Sequence, residues 1–210
     1  MKTPAYFLWA ASAIFVATMA GCASSVPQQS GQWLDPALGT SSALMRSDKV
    51  LVACEAWDLT MRQNCQDSLY REVQGRGGQA LMSRSASLVS GRELDSQLAA
   101  EALDAGAKSV MVVALAPVVT GGSGFSGASI GLGGYSWGRG GGAGVGIGLP
   151  IGGGGWGSMG VSAQGRLTDV TQSRLVWTTT FVSSSSGDSM SQVVELTRAV
   201  ATAAQGAGLL

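Results

Sequence analysis

The 210-residue chain contains no histidine. Ser-His-Asp and Cys-His catalysis, HExxH zinc chemistry and imidazole-based pH switching are therefore excluded in their usual forms. An excess of charge is missing too: 13 Lys and Arg balance 13 Asp and Glu. Without a cluster of Lys and Arg the chain lacks the electrostatic footprint that grips phosphate backbones, which excludes nucleic acid as a partner. Cysteine is scarce, at three residues. Glycine is the one residue in excess: 32 in all, twenty of them between Gly121 and Gly160. At roughly 100 to 200 residues per domain, the length allows one domain with appendages.

Lys2 is followed by a twelve-residue apolar run, Ala5 to Val16 (AYFLWAASAIFV), which stops short of the roughly twenty residues a membrane-spanning helix needs. The run reads as the core of a signal peptide. Next comes Met19-Ala20-Gly21-Cys22, which resembles the bacterial lipobox, with Met19 where Leu is commoner. That resemblance implies a signal peptide over 1–21 and an acylated Cys22 as the first mature residue, anchored in the membrane by several chains. Ala23, in the second mature position, resembles the sorting pattern for the outer membrane. Residues 22–47 are rich in Ser, Gln, Pro and Gly with little hydrophobic periodicity, and read as a lipidated tether.

From residue 48 the pattern alternates strand and helix. Lys49 to Trp57 (KVLVACEAW) is apolar on both faces in its first half, as in a buried central strand. Thr60-Met61-Arg62-Gln63 has the form of a capping box, and Met61, Cys65, Leu69 and Val73 stripe the helix that follows. A short strand at Gln79 to Ser83 leads to a second box, Ser90-Gly91-Arg92-Glu93, and a helix striped by Leu94, Leu98, Ala102 and Ala105. Ser109 to Val119 is again continuously apolar. Val161 to Val170 and Arg174 to Val182 form a hairpin, and Ser189-Met190-Ser191-Gln192 opens a C-terminal helix striped by Val193, Leu196 and Val200. The expectation is an α/β domain with a mixed sheet: β-α-β-α-β, a Gly-rich insert over 121–160, a β-hairpin and a C-terminal helix.

Two stretches of this domain carry a further resemblance. Leu103-Asp104-Ala105-Gly106-Ala107-Lys108-Ser109-Val110-Met111-Val112-Val113 resembles the helix, Gly/Ala and apolar strand of the CsgG-like periplasmic lipoproteins. Leu167-Thr168-Asp169-Val170-Thr171-Gln172-Ser173-Arg174-Leu175-Val176-Trp177 is similar to their later hairpin. The group includes the curli export lipoprotein, the activator LpoB and the TolB amino-terminal domain, and the likeness covers roughly Lys49 to Leu210 by element order. It implies a domain that binds or assembles proteins in the envelope, with no catalytic residues to carry over and no cofactor.

Two catalytic motifs match by chance. Gly127-Ala128-Ser129-Ile130-Gly131 fits G-x-S-x-G, yet no histidine exists to take the serine's proton. Gly152, Gly154 and Gly157 fit G-x-G-x-x-G, yet a strand pattern follows where a pyrophosphate needs a helix amino terminus. Asp58, Asp67, Asp104 and Asp169 fall at helix ends or beside turns and read as caps and solvated carboxylates. No metal or catalytic site is expected. Cys54 and Cys65 read as a bridge between the first strand and first helix, although two buried thiols give the same pattern.

The Gly-rich insert carries one charge, Arg139, and Val145-Gly146-Ile147-Gly148-Leu149 alternates with period two. It is either a low-complexity loop between strands or a strand pair for a membrane or a partner, with Tyr135, Trp137, Val145, Ile147, Leu149 and Trp156 as contact residues. A strand pair in lipid would need several copies closed into a ring, since lone edges expose amides, so a homo-oligomer belongs to that reading. Taken together, the residues point to a lipoprotein on the periplasmic face of the outer membrane, a non-enzymatic accessory of envelope assembly or export with an envelope protein as partner. The alternative is a small-molecule or glycan-binding lipoprotein that uses Tyr135, Trp137 and Trp156 as stacking platforms.

Overall fold

A computed structural model describes residues 26–38, 48–84, 92–120, 130–131, 135–137, 140–142, 146–147, 158–183 and 188–210. The elements are β1 (Gln28–Leu34), β2 (Lys49–Glu55), α1 (Leu59–Gly75), β3 (Gln79–Met82), α2 (Arg92–Asp104), β4 (Ser109–Thr120), four short strands β5 (Ile130–Gly131), β6 (Tyr135–Trp137), β7 (Gly140–Gly142) and β8 (Gly146–Ile147), then β9 (Ser158–Asp169), β10 (Arg174–Val182) and α3 (Ser189–Gly206). Six strands form a mixed sheet in the order β1-β10-β9-β4-β2-β3, with β2 parallel to β3 and to β4 and the other pairs antiparallel. The fold is α/β, as the alternation of patterns predicts.

The crossover β2-α1-β3 runs one way along the sheet and β3-α2-β4 runs back, so right-handed connections put α1 and α2 on opposite faces. This explains why β2 is apolar on both sides. Val50, Val52 and Cys54 join the larger core with Met61, Leu69, Met111, Leu167, Trp177 and Leu196, under α1 and α3. Leu51 and Ala53 join the smaller one with Leu98, Ala102, Val110 and Val112, under α2. The C-terminal Leu209 and Leu210 are buried in the larger core. No helix among the described residues is long and apolar enough to cross a membrane.

Two caps differ from the sequence expectation. The N-cap of α1 is Asp58, whose carboxylate accepts from the Met61 amide at 2.9 Å, rather than Thr60. That of α3 is Asp188, accepting from the Met190 and Ser191 amides, rather than Ser189. In both places an aspartate lies ahead of a Ser/Thr-x-x-Gln box and its carboxylate reaches the orphan amides first. The start of α2 proposed at Ser90 lies outside the described residues. Asp169 behaves as expected: its Oδ1 accepts from the Thr171 and Gln172 amides and holds the β9-β10 turn.

The tether is also shorter than its composition suggests. Inside it, Gln28–Leu34 forms β1, antiparallel to β10, with Trp33 opposite Thr178. The strand is clipped at its end by Asp35, whose amide donates to the Val176 carbonyl at 2.9 Å and whose Oδ2 pairs with Arg174 at 2.6 Å.

Cys54 and Cys65 form a disulfide across 11 positions, joining β2 to α1 inside the larger core. Closing so short a loop restricts the unfolded chain by about 3 kcal/mol in the entropy model. Replacing both by alanine is expected to lower the urea-unfolding stability by about that amount. A thiol titration of the denatured, unreduced domain lacking Cys22 should find no free thiol at these positions.

Two carboxylates contribute to the acid sensitivity of the fold. Burial pushes Glu72 upward, but hydrogen bonds and charge from Arg76 and Arg198 outweigh it and hold the carboxyl below its usual value. Asp188 is held low first by the Ser191 hydroxyl and then by the Ser191 amide. Both pKa values are depressed on folding, so their stabilisation is complete above the usual carboxylate range and disappears as pH falls through the lowered values. In acid titrations followed by circular dichroism, Glu72→Gln with Asp188→Asn should lose stability less steeply than the parent below about pH 4.

Candidate functional site at the ribbon edge

The two long strands at the middle of the sheet outrun their neighbours. Gln28, Val182, Ser162 and Ala116 make one row across β1, β10, β9 and β4, and β2 ends at Glu55, opposite Ala114. Past that row β4 and β9 continue through Pro117–Val161, where Ser183 still bonds Val161, and then as a pair through Val118–Gly160, Val119–Met159 and Thr120–Ser158. Pro117 is tolerated because the Val161 amide and carbonyl face Ser183, bonding its Oγ and amide at 2.8 Å each, so the rung opposite needs no donor from β4. The result is a two-stranded ribbon leaving the sheet, and the Gly-rich insert lies at its end.

The described parts of the insert are paired and nested. Ile130 lies opposite Ile147 in β5-β8, and Tyr135, Ser136 and Trp137 lie opposite Gly142, Gly141 and Gly140 in β6-β7. Outside them sits the rung Thr120–Ser158, so the three antiparallel pairings enclose one another. β6 also lies beside α2. Of the contact residues expected from sequence, Tyr135 and Trp137 fall on β6 and Ile147 on β8. Val145, Leu149 and Trp156 lie outside the described residues, as does Cys22.

The same edge gathers the amino termini of α1 and α3. The Ser183 hydroxyl donates to Gln192 Oε1 at 2.6 Å and so ties the first turn of α3 to the start of the ribbon. Trp57 and Leu59, just after β2, and Val26, just before β1, are exposed here, at 51%, 49% and 66%.

Two solved structures are similar to this chain. One is a PelC dodecamer from Paraburkholderia phytofirmans, 13% identical, with a TM-score of 0.47 over 83% of this chain and 94% of that one. The other, a single-substitution variant of the same dodecamer, is also 13% identical, with a TM-score of 0.46 over 83% and 95%. No family model and no curated protein matches.

Sequence reasoning missed the ion pair between Glu55 and Arg166, which bridges β2 and β9 on the face where α2 packs. Arg166 sits amid the alternation of β9, and its partner is 111 positions away, so nothing local signals the pair. Deeply placed, this pair is bound to its geometry, because removing one partner strands the other charge. The same face of β9 and β10 carries Ser162, Gln164, Thr168, Thr178 and Thr180 where the other face carries the larger core.

Proposed function

We propose that this chain is an outer-membrane lipoprotein, anchored at Cys22 on the periplasmic side, whose CsgG-like α/β domain serves envelope assembly or export as a non-enzymatic accessory. The observation that carries the reading is the ribbon: a six-stranded sheet holds out two strands, and the segment they carry is the one whose composition departs most from an ordinary domain. Such a device presents a surface to a partner while the sheet stays packed. The lipobox-like Met19-Ala20-Gly21-Cys22 supports the anchor.

A photo-crosslinking amino acid in place of Tyr135 or Trp137 tests it. Irradiated envelopes should yield an adduct with another envelope protein, or with a second copy if the ribbons assemble into a ring. The same probe at Leu103, at the opposite edge of the sheet, should yield none. Equal patterns from the two positions would remove the ribbon from the account.

The pairing of β6 favours a second reading. Tyr135 and Trp137 lie two apart on one strand, each opposite a glycine in the register, and aromatic residues are the usual platforms for a sugar ring. Glycan binding that survives Tyr135→Ala with Trp137→Ala would dismiss it.

A further inference from the structure

We propose that the ribbon edge is the side this domain lays on the bilayer that holds its anchor, with Val26, Trp57 and Leu59 in the headgroup interface. The proposal rests on the acylation of Cys22 and adds to it an orientation and a contact surface. The argument starts from chain length. With β1 beginning at Gln28, only four peptide steps separate Cys22 from Val26, at most roughly 14 Å of extended chain. A long coil would have left the domain free to tumble above the membrane, whereas this short one holds one edge of the sheet close to it.

Which edge is fixed by the register. Gln28 shares a row with Val182, Ser162 and Ala116, so the chain enters the sheet at the edge from which the ribbon leaves. Trp57 follows two residues after Glu55, the last rung of β2, and Leu59 opens α1, which places both on that edge. The other exposed large apolar residues among those described lie elsewhere: Met82 is opposite Val52, well inside the sheet's span, Trp33 is opposite Thr178, and Leu103 is at the far end of α2. An indole and two aliphatic side chains held at the interface suit the level at which aromatic rings collect in bilayers. At Val26, Trp57 and Leu59 the occupant is a lipid surface rather than a protein, because the anchored chain delivers these three residues to lipid in every copy. Asp58 and Asp188, the two helix caps on this edge, oppose an anionic surface, so the bilayer inferred is a zwitterionic one.

The acylated full chain makes the test direct, because Cys22 is then a thioether and Cys54 and Cys65 are bridged. A single cysteine at Trp57→Cys, Leu59→Cys or Leu103→Cys is thus the one free thiol for an environment-sensitive fluorophore. In vesicles of phosphatidylcholine and phosphatidylethanolamine, labels at 57 and 59 should shift to the blue and lose intensity to doxyl-labelled lipid, and the label at 103 should do neither. Co-flotation with equal responses at all three positions overturns the orientation alone. Shielding at 57 and 59 that persists in the lipid-free Cys22→Ser protein reveals contact with another chain and also overturns it. A chain that does not float with the vesicles overturns the anchor and the orientation together.

Discussion

Replacing Gly165 by alanine is expected to destabilise the domain by about 2 kcal/mol, within the range for an overpacked core. Gly165 lies in β9 between Val113 of β4 and Thr179 of β10, directly beneath α3. A Cβ built there would stand 2.5 Å from Val200 Cγ1, 3.3 Å from Thr179 Cγ2 and 3.4 Å from the Trp177 ring. Two effects oppose each other. Alanine in a strand interior usually gains about 0.5–1 kcal/mol over glycine through backbone entropy. The contact with Val200 goes the other way and is larger, because a β-branched residue in a helix has one favoured rotamer and cannot swing aside. Val200→Ala alone should also destabilise, by about 2 kcal/mol through the cavity it leaves. In the double variant the two losses should fall well short of adding, since each change fits the other. Urea unfolding of the four proteins checks this. Simple additivity would mean that α3 does not sit on Gly165.

Trp177 is the second position where a large effect is expected. It is fully buried in the larger core, and truncation to alanine should lower stability by about 3–5 kcal/mol. Phenylalanine is a different matter. The indole Nε1 is buried without a hydrogen-bond partner among the described residues, so losing it removes an unsatisfied donor as well as some volume. Trp177→Phe should therefore lose no more than about 1.5 kcal/mol, the upper end for a near-conservative swap. Equal losses for phenylalanine and alanine would show that the donor has a partner.

The elements that bury side chains were legible in the sequence, and those held by backbone or by distant charge were not. β2, β4 and β10 appear as runs of apolar or alternating residues because each packs against helices, and α1 and α3 show their stripes at Met61, Cys65, Leu69 and Val73 and at Val193, Leu196 and Val200. The strand Gln28–Leu34 has no such pattern. Six of its seven residues are exposed, so its place at the sheet edge rests on main-chain bonds to β10 that side chains do not record. Helix starts were displaced by one or two residues because Asp58 and Asp188 outcompete the boxes beside them. The bridge between Cys54 and Cys65 was one of two readings their positions allowed, since two buried thiols leave the same pattern in the sequence. For the candidate site, the ribbon edge was not legible, because it arises from the register of β4 on β9 and the early end of β2, which no local window contains.

Both the ribbon's role as a presented surface and the domain's orientation on a bilayer depend on what happens at Cys22. The mass of the amino-terminal peptide from protein extracted from membranes tests this most directly. The account predicts a chain that begins at Cys22, with a diacylglyceryl thioether on its sulfur and an acyl group on its amine. A peptide with an unmodified Cys22, or one that still carries residues 1–21, would contradict it.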